Sequence, residues 1–138
     1  MSTHLTEMTT EQCWEFLHHN QQHYGRIALS IGAEVDIYPV SYVIADGKIF
    51  FRTSEQVKFA SVTISRKAAF EVDEVVDGVA RCVVVKGTAS WISPEDAAER
   101  ADIAQLATDA SGAATNWVEI APERVRGSQF AVVSHERT

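Results

Sequence analysis

The hydrophobic and polar positions of this chain follow the period of β-strands over most of its length. The predicted strands cover residues 27–31, 35–44, 48–53, 68–73, 80–91 and, with an interruption at 121–123, residues 117–133. Tight turns at Asp46-Gly47 and Asp77-Gly78 join strands that are adjacent in sequence. Several short strands joined by such turns favour a closed or nearly closed antiparallel barrel.

Three segments have the helical period instead. The first begins at Thr9-Thr10-Glu11-Gln12 and ends near Asn20, within an N-terminal helical segment, residues 1–22. Residues 57–64 predict a short inserted helix. Ser93-Pro94-Glu95-Asp96 starts a longer helix, predicted to cover residues 93–109 and to pack on the barrel. The small residues at 109–115 predict a loop, and residues 1–138 form a single domain that is mainly β with flanking helices.

Composition narrows the classes of function. The net charge of −7 argues against indiscriminate binding to nucleic acid, which requires a basic surface. Cys13 and Cys82 are the only cysteines and are expected to be reduced thiols. The N-terminus lacks the order of a signal peptide, and no apolar run is long enough to cross a bilayer. We therefore expect a soluble, cytoplasmic protein without membrane contact.

The residues after the third predicted strand have the composition of a phosphate site. Arg52, Thr53 and Ser54 end that strand, and Lys58 lies in the first turn of the predicted helix 57–64. Free N–H groups at a helix N-terminus favour an anion, and the two cations can neutralise it. The same residues also fit solvated charges and ordinary helix caps.

Five segments, in this order and spacing, resemble a known family. They are Gly25-Arg26-Ile27-Ala28-Leu29, Tyr38-Pro39-Val40-Ser41-Tyr42, Phe51-Arg52-Thr53, Lys58-Phe59-Ala60 and Ala69-Phe70-Glu71-Val72-Asp73. The family is that of the pyridoxamine 5′-phosphate oxidase-like, FMN-binding split barrels, and its nearest branch is the small actinobacterial and nitroimidazole-reductase-like proteins. Residues 84–89 and 117–125 also fit, so that the resemblance covers nearly the whole chain beyond the first helix.

The resemblance implies a six-stranded antiparallel split β-barrel that pairs as a homodimer and holds FMN in the groove between the subunits. The phosphate would be held by Arg52, Thr53 and Lys58. The residues expected to border the ring are Pro39, Val40, Ser41, Tyr42, Phe51 and, from one subunit or the other, Trp117. Tyr42, Phe51 and Trp117 also suit a hydrophobic core or an interface.

One residue departs from the family pattern. Gln56 stands between Thr53 and Lys58, where relatives commonly carry glycine, and a glutamine narrows the cradle or donates its own amide. Relatives also bind a deazaflavin coenzyme or haem in similar clefts. The expected cofactor is therefore FMN, with the deazaflavin coenzyme as the alternative and haem less favoured.

The sequence supports three hypotheses about function. The first is a flavin-dependent oxidoreductase acting on an unidentified small-molecule substrate or electron donor, with no catalytic side chain evident. The second is a non-catalytic flavin, deazaflavin or haem carrier, and the third is a dimer that has lost its ligand. His19 and His23 have helical metal-ligand spacing, but no third ligand is near them and no metal site is expected.

Overall fold

The computed structural model describes residues 5–20, 24–31, 33–53, 66–92 and 116–132. These residues form one helix and seven strands. In chain order the elements are β1 (Thr6–Met8), α1 (Thr10–His19), β2 (Tyr24–Ile31), β3 (Glu34–Ala45), β4 (Lys48–Thr53), β5 (Arg66–Val76), β6 (Val79–Ile92) and β7 (Asn116–Ala131). The predicted helices 57–64 and 93–109 and the loop 109–115 lie outside the described residues.

Six of the strands close into an antiparallel ring. The order is β7-β4-β3-β2-β5-β6, and β6 pairs back with β7. The short β1 adds a seventh strand, which pairs with β7 at residues 127–129. The expected six-stranded antiparallel barrel is therefore confirmed. β1 was not predicted, because three residues without apolar alternation give too weak a pattern.

Both predicted tight turns have the required backbone. Asp46 and Gly47 have φ angles of 53° and 69°, and Asp77 and Gly78 have 51° and 75°. Consecutive positive φ angles are typical of the type I′ turn, whose twist matches that of the strands it joins. These turns fix the registers of β3 with β4 and of β5 with β6.

The interruption predicted at residues 121–123 is a shift of register within one continuous strand. Lys86 pairs with Arg124, whereas the next residue, Gly87, pairs with Pro122, so that Glu123 is the extra residue of a β-bulge. Pro122 lacks an N–H for a sheet ladder, and a bulge is one of the places where a strand accepts proline. The bulge bends β7 and lets it border different neighbours along its length.

The helix packs against the barrel and contributes to its core. Thr9 caps α1 by accepting a hydrogen bond from the Gln12 N–H at 3.1 Å, and the Gln12 side chain accepts one from the Thr9 N–H at 2.8 Å. Cys13 and Leu17 are fully buried among the inward side chains of the strands. α1, the one helix among the described residues, is not long and apolar enough to span a membrane.

Candidate functional site

The predicted ring-binding residues of β3 point alternately to the two faces of the barrel wall. Val40 and Tyr42 are buried in the core, whereas Pro39 and Ser41 are exposed on the outer face. This is the normal alternation of a strand with one buried face. A ligand on the outer face would contact the side chains of Pro39 and Ser41, and would reach Val40 and Tyr42 through the backbone only.

Tyr42 connects the barrel to the helix. Its hydroxyl donates a hydrogen bond to the Leu17 carbonyl oxygen at 2.7 Å, and its ring packs edge-on against Phe70 with centroids 4.9 Å apart. Burial raises the pKa of the hydroxyl, since the phenolate would lose its hydration. The side chain therefore remains a neutral hydrogen-bond donor that holds the last turn of α1 on the core.

Phe51 and Trp117 occupy opposite sides of the barrel wall. Phe51 is fully buried in the main core, opposite Tyr42 in the β3–β4 ladder. Trp117 is 4% exposed and belongs to a second apolar cluster, which it forms with Phe50. Trp117 is also the partner of Arg52 in the β4–β7 ladder. The start of β7 therefore lies beside the end of β4, where the predicted phosphate site begins.

The predicted phosphate site is described only in part. The backbones of Arg52 and Thr53 pair with Trp117 and Asn116 in β7. The side chains of Arg52 and Thr53, together with Ser54, Gln56 and Lys58, lie outside the part that the structure describes. Their phosphate contacts, and the effect of Gln56 on them, remain predictions.

A cluster of charged groups lies on the outer face of β2, β5 and β6. Arg26 donates to the Glu71 carboxylate at 3.0 Å and to the Asp73 carboxylate at 3.4 Å. Cys82 donates its thiol hydrogen to the other Glu71 oxygen at 3.2 Å. The alternation around Phe70 predicts that Glu71 and Asp73 share a face. Because Arg26 and Cys82 are distant in sequence, only the strand register reveals that they meet there.

Three members of the cluster have raised pKa values, and that of Arg26 is raised mainly by its hydrogen bond to Glu71. The pKa of Glu71 is raised, first by desolvation and then by the neighbouring Asp73, although Cys82 and Arg26 oppose the shift. Desolvation, followed by the hydrogen bond to Glu71, raises the pKa of the Cys82 thiol to about 12. Since the thiolate is the nucleophilic form, Cys82 is an unreactive thiol at neutral pH.

A pocket of about 450 Å³ adjoins this cluster on the outer face of β6, β7 and β1. Its lining includes Cys82, Val84, Lys86 and Arg126. The apolar run 83–85 predicts a strand covered on both faces. In the structure Val83 and Val85 are fully buried, whereas Val84 is only half-buried and faces the pocket. Among the described residues no group of three or more histidine, cysteine or acidic side chains could hold a metal ion, and His23 lies outside them.

Comparison with known proteins gives a consistent picture. The sequence profile described as pyridoxamine 5′-phosphate oxidase matches residues 9–129. A candidate pyridoxamine 5′-phosphate oxidase from Corynebacterium glutamicum is 30% identical, with a TM-score of 0.75 over 97% of this chain and 99% of that one. No protein of curated function matches the chain.

Two more distant solved structures share the fold. An FAD-binding protein from Mycobacterium smegmatis is 24% identical, with a TM-score of 0.69 over 92% of this chain and 99% of that one. An FAD-binding protein from Mesorhizobium loti is 17% identical, with a TM-score of 0.73 over 94% of this chain and 99% of that one. The family profile covers α1, β2 to β6 and residues 116–129 of β7, and the six-stranded ring agrees with the fold of these relatives. The chain therefore belongs to the pyridoxamine 5′-phosphate oxidase family.

Proposed function

We propose that this protein is a homodimeric flavin-dependent oxidoreductase that binds FMN on the outer face of β3 and β4. The proposal rests on the arrangement of residues at the end of β4. There Arg52 pairs with Trp117, and the neighbouring strand presents Pro39 and Ser41 on the outer face. Family membership and the FAD-binding proteins of the same fold support a flavin as the ligand.

The described residues fit such a ligand. Pro39 and Ser41 are exposed on the outer face of β3, and the other face of this strand packs into the core. A planar ring can therefore lie against the backbone of β3 without opening the barrel. Pro39 has no N–H, which limits competition from another strand at this position. Arg52, Thr53 and Lys58 would hold the phosphate as charged and hydroxyl partners.

The flavin, when bound, would supply the electron or hydride transfer. The protein would hold the phosphate, position the ring along β3 and exclude water from one of its faces. Ser41 is the exposed polar residue of β3 beside Pro39, and Arg26, the β2 partner of Pro39, is already paired with Glu71 and Asp73 on the same face. The substrate would therefore exchange electrons with the cofactor without a protein nucleophile.

Purified protein should bind FMN, and Lys58→Ala should weaken that binding by about 10- to 100-fold, since a charge-assisted contact contributes about 1.5–3 kcal/mol. Riboflavin lacks the phosphate, and its affinity should stay the same in both proteins. Titrations followed by flavin fluorescence measure both constants. Lys48→Ala is the matched control, because it removes a lysine that already pairs with Glu119 at 3.5 Å.

Two results would count against this function. If the protein binds neither FMN, FAD nor a deazaflavin, the flavin site is wrong. If Lys58→Ala weakens riboflavin as much as FMN, the lysine does not contact the phosphate. A protein that binds FMN but shows no nicotinamide-dependent reduction of it would support the carrier function instead.

The outer face of β2 and β3 supports the dimer in this proposal. Tyr24, Val35 and Ile37 lie on this face and are 55%, 68% and 66% exposed. Val35 and Ile37 are adjacent outward positions of one strand, and they continue the row that contains Pro39 and Ser41. Val35, Ile37 and Pro39 form a continuous exposed apolar row, whereas Tyr24 lies beside Ser41 at its far end, and such a row is typical of an interface. A second copy covering it would place a subunit boundary directly beside the proposed flavin site.

Ile37→Asp should convert the dimer to a monomer in sedimentation equilibrium, because it places a charge in the apolar interface. It should also weaken FMN if the groove needs both subunits. Val75→Asp is the matched control, since Val75 is 63% exposed near the β5–β6 turn, away from this face. A wild-type monomer, or a dimer unaffected by Ile37→Asp, would refute the interface.

A further inference from the structure

Among the described residues, the basic side chains near the pocket on β6 and β7 differ from the others in having no acidic partner. The structure describes the side chains of seven lysine and arginine residues. Four of them, Arg26, Lys48, Lys67 and Arg81, contact a carboxylate at 2.7–3.7 Å. The other three have no ion pair within the described part of the chain, and they are Lys86, Arg124 and Arg126.

These three cations are neighbours on one face. Lys86 and Arg124 are direct partners in the β6–β7 ladder, and Arg126, the partner of Val84, is the next residue of β7 on the same face. Direct cross-strand partners have Cβ atoms about 4.5–5.5 Å apart, and like charges at that distance destabilise a sheet. The chain has 19 acidic residues for 12 basic ones, so the lack of partners does not reflect a shortage of carboxylates.

The cations border a cavity that also has apolar walls. Lys86 and Arg126 line the pocket together with Val84, Val125 and Leu5. Its volume of about 450 Å³ lies in the range of small-molecule sites. One carboxylate, that of Glu7, also lines the pocket, and Glu7 is the β1 residue opposite Ser128 in the β1–β7 ladder. None of the described cations lies within 4.0 Å of this carboxylate. The positive side of the pocket is thus at Lys86 and Arg126.

We propose that this pocket binds a small organic anion, with its carboxylate or phosphate on Lys86 and Arg126 and its apolar body against Val84 and Leu5. An anion removes the repulsion between the adjacent cations, and Val84 and Leu5 cover its hydrocarbon part. Arg124 adds positive potential from just outside the cavity. The inference does not depend on flavin binding, since none of the proposed phosphate ligands lines this pocket.

The test uses 2-naphthoate and its uncharged counterpart, naphthalene-2-carboxamide, titrated into the full chain by calorimetry. The naphthoate should bind, the amide should bind much more weakly, and added NaCl should weaken only the naphthoate. Lys86→Ala/Arg126→Ala should reduce naphthoate affinity by about 5- to 30-fold, the effect of losing two partly exposed ion pairs. Lys48→Gln removes a lysine that pairs with Glu119 and does not line the pocket, so this change should leave the naphthoate affinity unchanged.

FMN titration of the double variant separates this site from the flavin site. Lost naphthoate affinity with unchanged FMN affinity supports the proposal. If the wild type binds no flavin, the loss of naphthoate affinity supports it by itself. Equal binding of naphthoate and amide by the wild type would overturn it, whatever the folding of the variant. A double variant that loses FMN in parallel with naphthoate would also overturn it, because the cations would then belong to the flavin site.

Discussion

Phe51→Ala should lower the free energy of unfolding by about 3–5 kcal/mol, the usual cost of removing a buried phenylalanine from a core. Phe51 is fully buried in the main core and lies opposite Tyr42 in the β3–β4 ladder. Urea denaturation followed by circular dichroism measures the change. Phe51→Leu keeps most of the volume and should cost less than about 1.5 kcal/mol.

This comparison also determines whether Phe51 contacts a ligand. A side chain that faces the core should affect flavin affinity only through stability, so Phe51→Leu should bind FMN as the wild type does. If Phe51→Ala is as stable as the wild type but binds FMN weakly, Phe51 faces the ligand. The family resemblance alone favours that second role, whereas the inward position of the side chain favours the first.

Gly87→Ala should destabilise the protein by about 3 kcal/mol, at the upper end of the cost of overpacking. A Cβ at this position would overlap the carbonyl oxygen of Ala121 and would lie 2.9 Å from the Ala121 carbonyl carbon and 3.1 Å from the Pro122 Cα. All three atoms belong to the backbone of the bulge in β7. They cannot move away without breaking the β6–β7 ladder.

Gly127→Ala is the matched control for this prediction. Its Cβ would meet side chains instead, at 2.6 Å from the Cys13 sulfur, 3.0 Å from the Met8 sulfur and 3.2 Å from a Val83 methyl group. The Cys13 thiol and the Met8 side chain can rotate, whereas the backbone of the bulge cannot, so the cost should be about 1–2 kcal/mol. Thermal denaturation of both variants shows which of the two is less stable. A Gly87→Ala protein as stable as Gly127→Ala would show that the bulge can adjust.

The sequence predicts the strands well because their signals are local. Alternating side chains and the two Asp-Gly turns place β2 to β6, and the Thr9 cap places α1. β7 was expected to be interrupted, since a proline within a strand usually marks a break. Its partner Gly87 allows the chain to continue, because a residue without a side chain leaves room for the bulge. That accommodation depends on a pairing between distant segments.

The candidate sites also depend on contacts between distant segments, which the sequence alone does not show. The row Pro39-Val40-Ser41-Tyr42 can be assigned to a family site by resemblance, but only the barrel determines that Val40 and Tyr42 face inward. The pocket with Lys86 and Arg126 had no sequence signal at all. Its residues come from three strands, and each cation taken singly resembles an ordinary surface charge.

The position of β7 in the ring has a consequence for synthesis on the ribosome. This strand borders β4 at residues 116–120, β6 along most of its length and β1 at residues 127–129, and it is the last strand along the described chain. While it is still inside the exit tunnel, β4 and β6 each keep an edge unpaired and α1 has no complete surface to cover. The nascent chain therefore exposes two unpaired strand edges until β7 emerges. Before that point a chaperone would protect it most from aggregation.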